Sequence, residues 1–235
     1  MEQINYLNTL RDIRPHLDLC CWGANEATDL IQSAAAAAKF KMSGMSVDAV
    51  SVPAVWTWLE KSNIKLSAFI AWNADKTPIE NLAADISAPL KRGADAVQIY
   101  VRFRDLQPLA AGLTQIKSEI FFDKKLTIAL GLADVPPFGW EVVRECMDSL
   151  SANSLMLISK NSKNSSSLYY GFLSSLTGRE DWGIEFCHAG NAVQPLEEVY
   201  RLTLKMADNM TGRLRFIVAK SFMDDNYKDA SDETL

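Results

Sequence analysis

The sequence predicts an α/β protein, a closed parallel (β/α)8 or TIM barrel preceded by one extra amino-terminal helix, and three observations predict it. Eight short apolar runs recur along the chain, most of them starting about thirty residues after the one before, which is the length of a strand plus a crossover helix. The segments between the runs read as helices, several opened by proline or closed by glycine. The length of 235 residues with 48% apolar composition suits one large core, since such barrels run to roughly 250 residues. In this fold the chemistry sits at the carboxyl ends of the strands, so the residues just after each run become the candidates.

Residues 1–15 carry Ile4, Leu7, Leu10 and Ile13 at helical spacing and are expected as the extra helix, covering the bottom of the barrel and ending at Pro15. The first strand, 17–20, leads into a helix over 26–40, where the alanines of 34–38 let it lie close against a sheet. Residues 43–46 read as a turn, 47–52 as the second strand and 53–61 as a short helix with Pro53 in its first turn. The third strand, 66–72, is followed by a helix over 78–92 with Gly93 as its cap and Pro89 tightening or kinking its last turn. Strands at 96–101, 126–131, 155–159, 183–187 and 214–219 then alternate with helices at 106–121, 138–150, 165–176 and 196–209. Residues 1–223 are expected as one domain, and 224–235 as an acidic, disordered tail with almost no apolar residues.

The formal net charge is −5 and no basic stripe is present, which argues against nucleic acid as a partner. No apolar run nears the roughly 20 residues that span a bilayer, and the first residues lack a secretory pattern, so a soluble, cytoplasmic enzyme-sized domain is expected. Cys20, Cys21, Cys146 and Cys187 lack the spacing of a zinc site or a disulfide framework and read as reduced thiols. The phosphate-binding, dinucleotide, zinc-protease and serine-hydrolase motifs are all missing, so no cofactor and no metal is expected.

A specific likeness begins at the third run. The stretch LSAFIAWNADKTPIENLAADISAPLKRGADAVQIYVRFRDL (66–106) resembles the deoxyribose-phosphate aldolases, with Lys91-Arg92-Gly93-Ala94-Asp95-Ala96-Val97 in the place of that family's Gly-Ala-Asp segment. Leu17-Asp18-Leu19, the stretch VDAVSVPAVW at 47–56, and Arg215-Phe216 followed by Ala219-Lys220-Ser221 are similar to its first, second and last strands. The resemblance implies Schiff-base aldol chemistry, in which a strand-six lysine attacks a carbonyl, a strand-seven lysine lowers its pKa, and a strand-four aspartate moves protons. This chain departs at each of those positions. Gln98 stands for the aspartate, Leu157 for the first lysine and Glu185 for the second, while Lys220 replaces the first of two serines after strand eight.

Lys160, three residues past Leu157, is the candidate for a displaced Schiff-base amine, or else a solvated loop lysine. Lys220, if inward, shares a cavity with Glu185 as an ion pair or an acid–base couple; with Ser221 and the backbone at Gly190 it would instead hold a phosphate or carboxylate. Glu185 within a strand needs a partner, and His188 just past it is the candidate proton carrier; His16, at the bottom, is set aside. Arg102 and Arg104 suit an anionic substrate, with Asp105 as an alternative surface partner. Asp18, Trp72, Gln98 and Tyr100 are expected to line the pocket. Two functions stay open: a lyase acting on a small anionic or phosphorylated carbonyl compound, or a catalytically altered barrel that binds a small ligand without Schiff-base chemistry. A homo-oligomer is compatible with either.

Overall fold

The computed structural model describes residues 10–24, 26–114, 123–159, 164–178 and 180–227. Eight parallel strands pair in chain order and close on themselves: β1 (Leu17–Cys21), β2 (Gly44–Asp48), β3 (Lys65–Ala71), β4 (Ala96–Tyr100), β5 (Lys125–Gly131), β6 (Ser154–Ser159), β7 (Gly183–His188) and β8 (Leu214–Ala219). Closure is made by β1 against β8, with Leu17 opposite Phe216 and Leu19 opposite Val218. The connecting helices are α1 (Ala27–Lys39), α2 (Val52–Leu59), α3 (Ile79–Lys91), α4 (Leu106–Thr114), α5 (Trp140–Leu150), α6 (Ser165–Ser175), α7 (Gln194–Met206) and α8 (Asp208–Thr211). α9 (Lys220–Asn226) follows the last strand. The TIM-barrel class is therefore observed.

Alternation along the strands builds two cores. The outward set, including Leu19, Val47, Ala68, Val97, Ile99, Ile128, Leu155, Ile184 and Phe216, packs under the helices in one continuous cluster. A small second cluster of Ala129, Met156, Cys187 and Ile217, with Cys20, Trp22, Tyr100 and Ile158 against it, fills the inside of the barrel toward the strands' carboxyl ends. Among the described residues no helix is long and apolar enough to cross a membrane.

The second strand differs from expectation. It starts at Gly44, inside the expected turn, and gives way after Asp48 to helical backbone from Ala49. The reason is packing across the sheet: Asp18 of β1 lies opposite Gly44, and a Cβ on that glycine would come within 2.6 Å of the Asp18 carboxylate. Gly44 thus serves close approach and not a turn. Residues 10–13 are helical as expected, and 1–9 lie outside the described residues. The helix expected over 106–121 is described to Thr114, and Ala207 leaves helical geometry, splitting the last crossover into α7 and α8. The expected tail is ordered further than its composition implies. Asp224 to Asn226 complete α9, and Tyr227 is buried with its hydroxyl donated to the Leu10 carbonyl at 2.9 Å, while 228–235 lie outside the described residues.

Candidate functional site

The inward positions carry the polar residues, and the strands stack them in layers. Nearest the amino ends are Asp18, Ser67, Ser154 and Arg215, with Lys65 and Lys125 at the rim. Asp18 accepts from Arg215 at two points, Nη2 at 2.5 Å and Nε at 3.1 Å, and from the Ser43 hydroxyl at 3.0 Å. The middle layer is Ser46, Gln98, Thr127 and Glu185. Trp22 Nε1 donates to Ser46 Oγ at 2.6 Å, Ser46 donates to Gln98 Oε1 at 2.5 Å, and Gln98 Nε2 donates to Glu185 Oε2 at 2.9 Å. Thr127 Oγ1 donates to the other Glu185 oxygen at 3.0 Å. Beyond this layer Trp22 stacks on Phe69 with ring centroids 4.0 Å apart, and Phe69 on Tyr100 at 6.5 Å. A cavity of about 420 Å3 therefore runs from the polar middle layer to the amino-terminal mouth, with aromatic packing on its far side.

Burial, reinforced by the charge of Asp18, pushes the Glu185 carboxyl up to about 7, against the opposing pull of donors from Thr127, Gln98 and Ser154. Because the folded value lies above the ordinary 4.5, the folded state holds the proton more tightly, and stability falls as pH rises from about 4.5 to about 7. His188 acts in the opposite sense: burial lowers its pKa, so its neutral form is favoured and stability falls as pH drops below its ordinary 6.5. Comparing wild type with Glu185→Gln isolates the first effect. We expect the difference in unfolding free energy between the two to change by about 2–3 kcal/mol between pH 4.5 and 8. Urea unfolding at a series of pH values measures it, and parallel profiles would refute it.

The other sequence candidates are placed as follows. Lys160 lies outside the described residues. Lys220 does not share the cavity with Glu185. It opens α9 and donates to Asp224 at 2.7 Å, with its charge felt by the outward thiol of Cys21. The expected convergence of Gln98, Glu185 and Lys220 thus holds for the first two, because the strand ends at Ala219 and the chain turns into a helix there. His188 is on the outer side of β7, alternating with inward Glu185 and Cys187; its ring is buried against Gly190 and neither nitrogen has a hydrogen-bond partner among the described residues. Ser221 donates to Asn191. Arg102 is tied to Asp105, Asp75 and Asn73, and Arg104 to Asp75. Trp72 faces the outer core and donates to the Thr77 carbonyl at 3.0 Å. His16 contacts the Leu214 carbonyl at 2.8 Å near the barrel's bottom.

Solved structures of known proteins match this architecture over nearly its full length. A provisionally assigned deoxyribose-phosphate aldolase of Toxoplasma gondii ME49 superposes with a TM-score of 0.79 at 13% identity, covering 98% of this chain and 99% of its own. The tetrameric deoxyribose phosphate aldolase of Aeropyrum pernix gives 0.75 at 12% identity over 96% and 98%. The chain has the fold of the deoxyribose-phosphate aldolases. An N-acetylmannosamine-6-phosphate 2-epimerase of Clostridium perfringens gives 0.61 at 11% identity over 91% and 90%. No protein-family model matches the sequence, and neither does any curated protein.

Within this aldolase fold the inward residues of β6 are Ser154, Met156 and Ile158, while Leu157 faces the helices and is fully buried there. The inward residues of β7 are Glu185 and Cys187, and those of β4 include Gln98 and Tyr100. Sequence reasoning missed Ser46, Thr127, Ser154 and Arg215, which surround Glu185 and Asp18. The signal that finds them is their alternation with the adjacent apolar residues that point outward, which puts residues two apart on one inward face, applied to every strand at once.

Proposed function

We propose that this protein is a catalytically altered aldolase-fold barrel that binds a small polar ligand in its hollow without forming a Schiff base. The observation that carries this reading is the pairing of Gln98 with Glu185 at 2.9 Å, at the two positions where the resemblance puts an aspartate and a lysine. A carboxyl cannot condense with a carbonyl, and a carboxylate beside a lysine raises that lysine's pKa, which works against a neutral amine. Met156 and Ile158 on β6 offer no amine either. Of the two lysines singled out from the sequence, Lys160 is the one left to carry the lyase reading, since Lys220 is held by Asp224.

The anionic-ligand part of the expectation has less support, because Arg102, Lys220 and Ser221 are each engaged by neighbouring side chains. Homo-oligomerisation, as in the tetrameric Aeropyrum pernix protein, and a cytoplasmic location belong to the proposal.

Borohydride reduction of the protein mixed with a panel of small aldehydes and ketones, followed by intact mass measurement, tests the reading. The expected result is no adduct on the wild-type chain. An adduct that disappears in Lys160→Ala would overturn it in favour of the lyase.

A further inference from the structure

The cavity floored by Glu185 opens at the end of the barrel opposite to the strands' carboxyl termini, and its volume of about 420 Å3 is that of a small-molecule site. We propose that this amino-terminal mouth binds a small amine that also carries hydroxyl groups, its ammonium paired with Glu185 and its hydroxyls with the serine and threonine side chains of the wall. The proposal rests on the reading above, that the hollow takes a ligand without an imine, and names the ligand's chemistry.

The charges facing the cavity select it. Asp18 is matched by Arg215 near the mouth, at 2.5 and 3.1 Å, and that guanidinium also donates to the Pro15 carbonyl at 2.9 Å. Lys65 stands 3.6 Å from Asp95 at the rim, where Asp123 and Lys125 add one charge of each sign. Glu185 is the remaining carboxyl, and its described partners, Gln98, Thr127 and Ser154, are all neutral donors. With Glu185 ionised the lining is one negative charge in excess, so a cation completes it.

An anion would meet Asp18 and Glu185 with the cavity's one described guanidinium, Arg215, already committed. A carboxylate offers about four acceptor positions, and the hydrogen bonds from Gln98, Thr127 and Ser154 leave one of them for an ammonium. Ser43, Ser67, Ser154 and Thr127 line the same space and suit a ligand's hydroxyls. Above Glu185, Cys187 stays protonated through its hydrogen bond with Cys20 and by burial, so it does not compete for the cation.

An isosteric series tests this: glucamine (1-amino-1-deoxysorbitol), sorbitol and gluconate, titrated calorimetrically into the full chain at pH 6 and pH 8. Glucamine is expected to bind, sorbitol and gluconate at least tenfold more weakly. Because an arriving cation favours the ionised carboxyl, glucamine binding should tighten about tenfold from pH 6 to pH 8 and release protons, seen as a dependence of the heat on the buffer's ionisation enthalpy. Glu185→Gln should weaken glucamine at least tenfold at pH 8 and remove the pH dependence. Ser67→Trp should abolish binding by filling the mouth while leaving Glu185 intact. The wild-type series and its proton release decide the matter if a variant fails to fold. Equal or tighter binding of sorbitol or gluconate, no binding of glucamine, or unchanged binding in both variants overturns the amine proposal and leaves the non-covalent reading standing. A borohydride-trapped adduct overturns that reading instead.

Discussion

Arg215→Met is expected to cost about 3–4 kcal/mol of stability, mostly through what it does to Asp18. The pair is largely buried, with side-chain exposures of 27% for Arg215 and 16% for Asp18, and it is bonded at two points. Methionine fills much of the same volume but leaves Asp18 as an unmatched charge in a low-dielectric hollow, where it also repels Glu185. Part of the cost is thus the penalty of the orphaned carboxylate, and it should be recoverable. Asp18→Asn placed in the Arg215→Met background is expected to restore more than half of the loss, because the charge is gone while the amide still meets Ser43. Urea unfolding at pH 7 of the wild type, both single variants and the double variant gives the cycle. A double variant no more stable than Arg215→Met would show that lost packing, and not the unmatched charge, is the cause.

Gly93→Ala is expected to cost about 2–4 kcal/mol, unusual for a change of one methyl group. Gly93 follows α3 with φ of +109°, a backbone conformation that side chains rarely adopt, and a Cβ there would lie 2.1 Å from the Trp56 ring of α2. Strain and overlap act together, and neither relaxes easily, since Gly93 also donates to the Leu90 carbonyl at 3.3 Å as α3 ends. Trp56→Ala in the same chain removes the overlap but not the strain. The Gly93→Ala cost should therefore shrink in that background without vanishing, as thermal unfolding would show. An undiminished cost would place the whole effect in the backbone.

The barrel was legible because its signals are local and repeated. Each strand is a short apolar run, several crossover helices have a start or stop residue, and their spacing admits few topologies. Gln98 and Glu185 were visible as polar residues within such runs, and Asp18 likewise. What failed were readings in which a local signal was outweighed by a distant neighbour. Gly44 looked like a turn glycine, yet its missing Cβ makes room for Asp18 on the adjacent strand. Asp224 looked like the start of a tail, yet it is the partner of Lys220 on one helical turn. His188 looked like a mouth residue, but the two-residue alternation puts it behind the wall.

The sequence by itself determined the number of strands, their order and the side of each that is apolar, because these follow from periodicity within short windows. Only the tertiary structure decided that the polar middle layer opens toward the amino-terminal mouth while Trp22, Phe69 and Tyr100 fill the other half of the hollow. Those rings come from three different strands or their loops, and Arg215 meets Asp18 across 197 residues of chain. The pairing of β1 through β4 gathers the rings and the closure of β8 on β1 brings Arg215 to Asp18, and nothing in a local window records a contact made between distant strands.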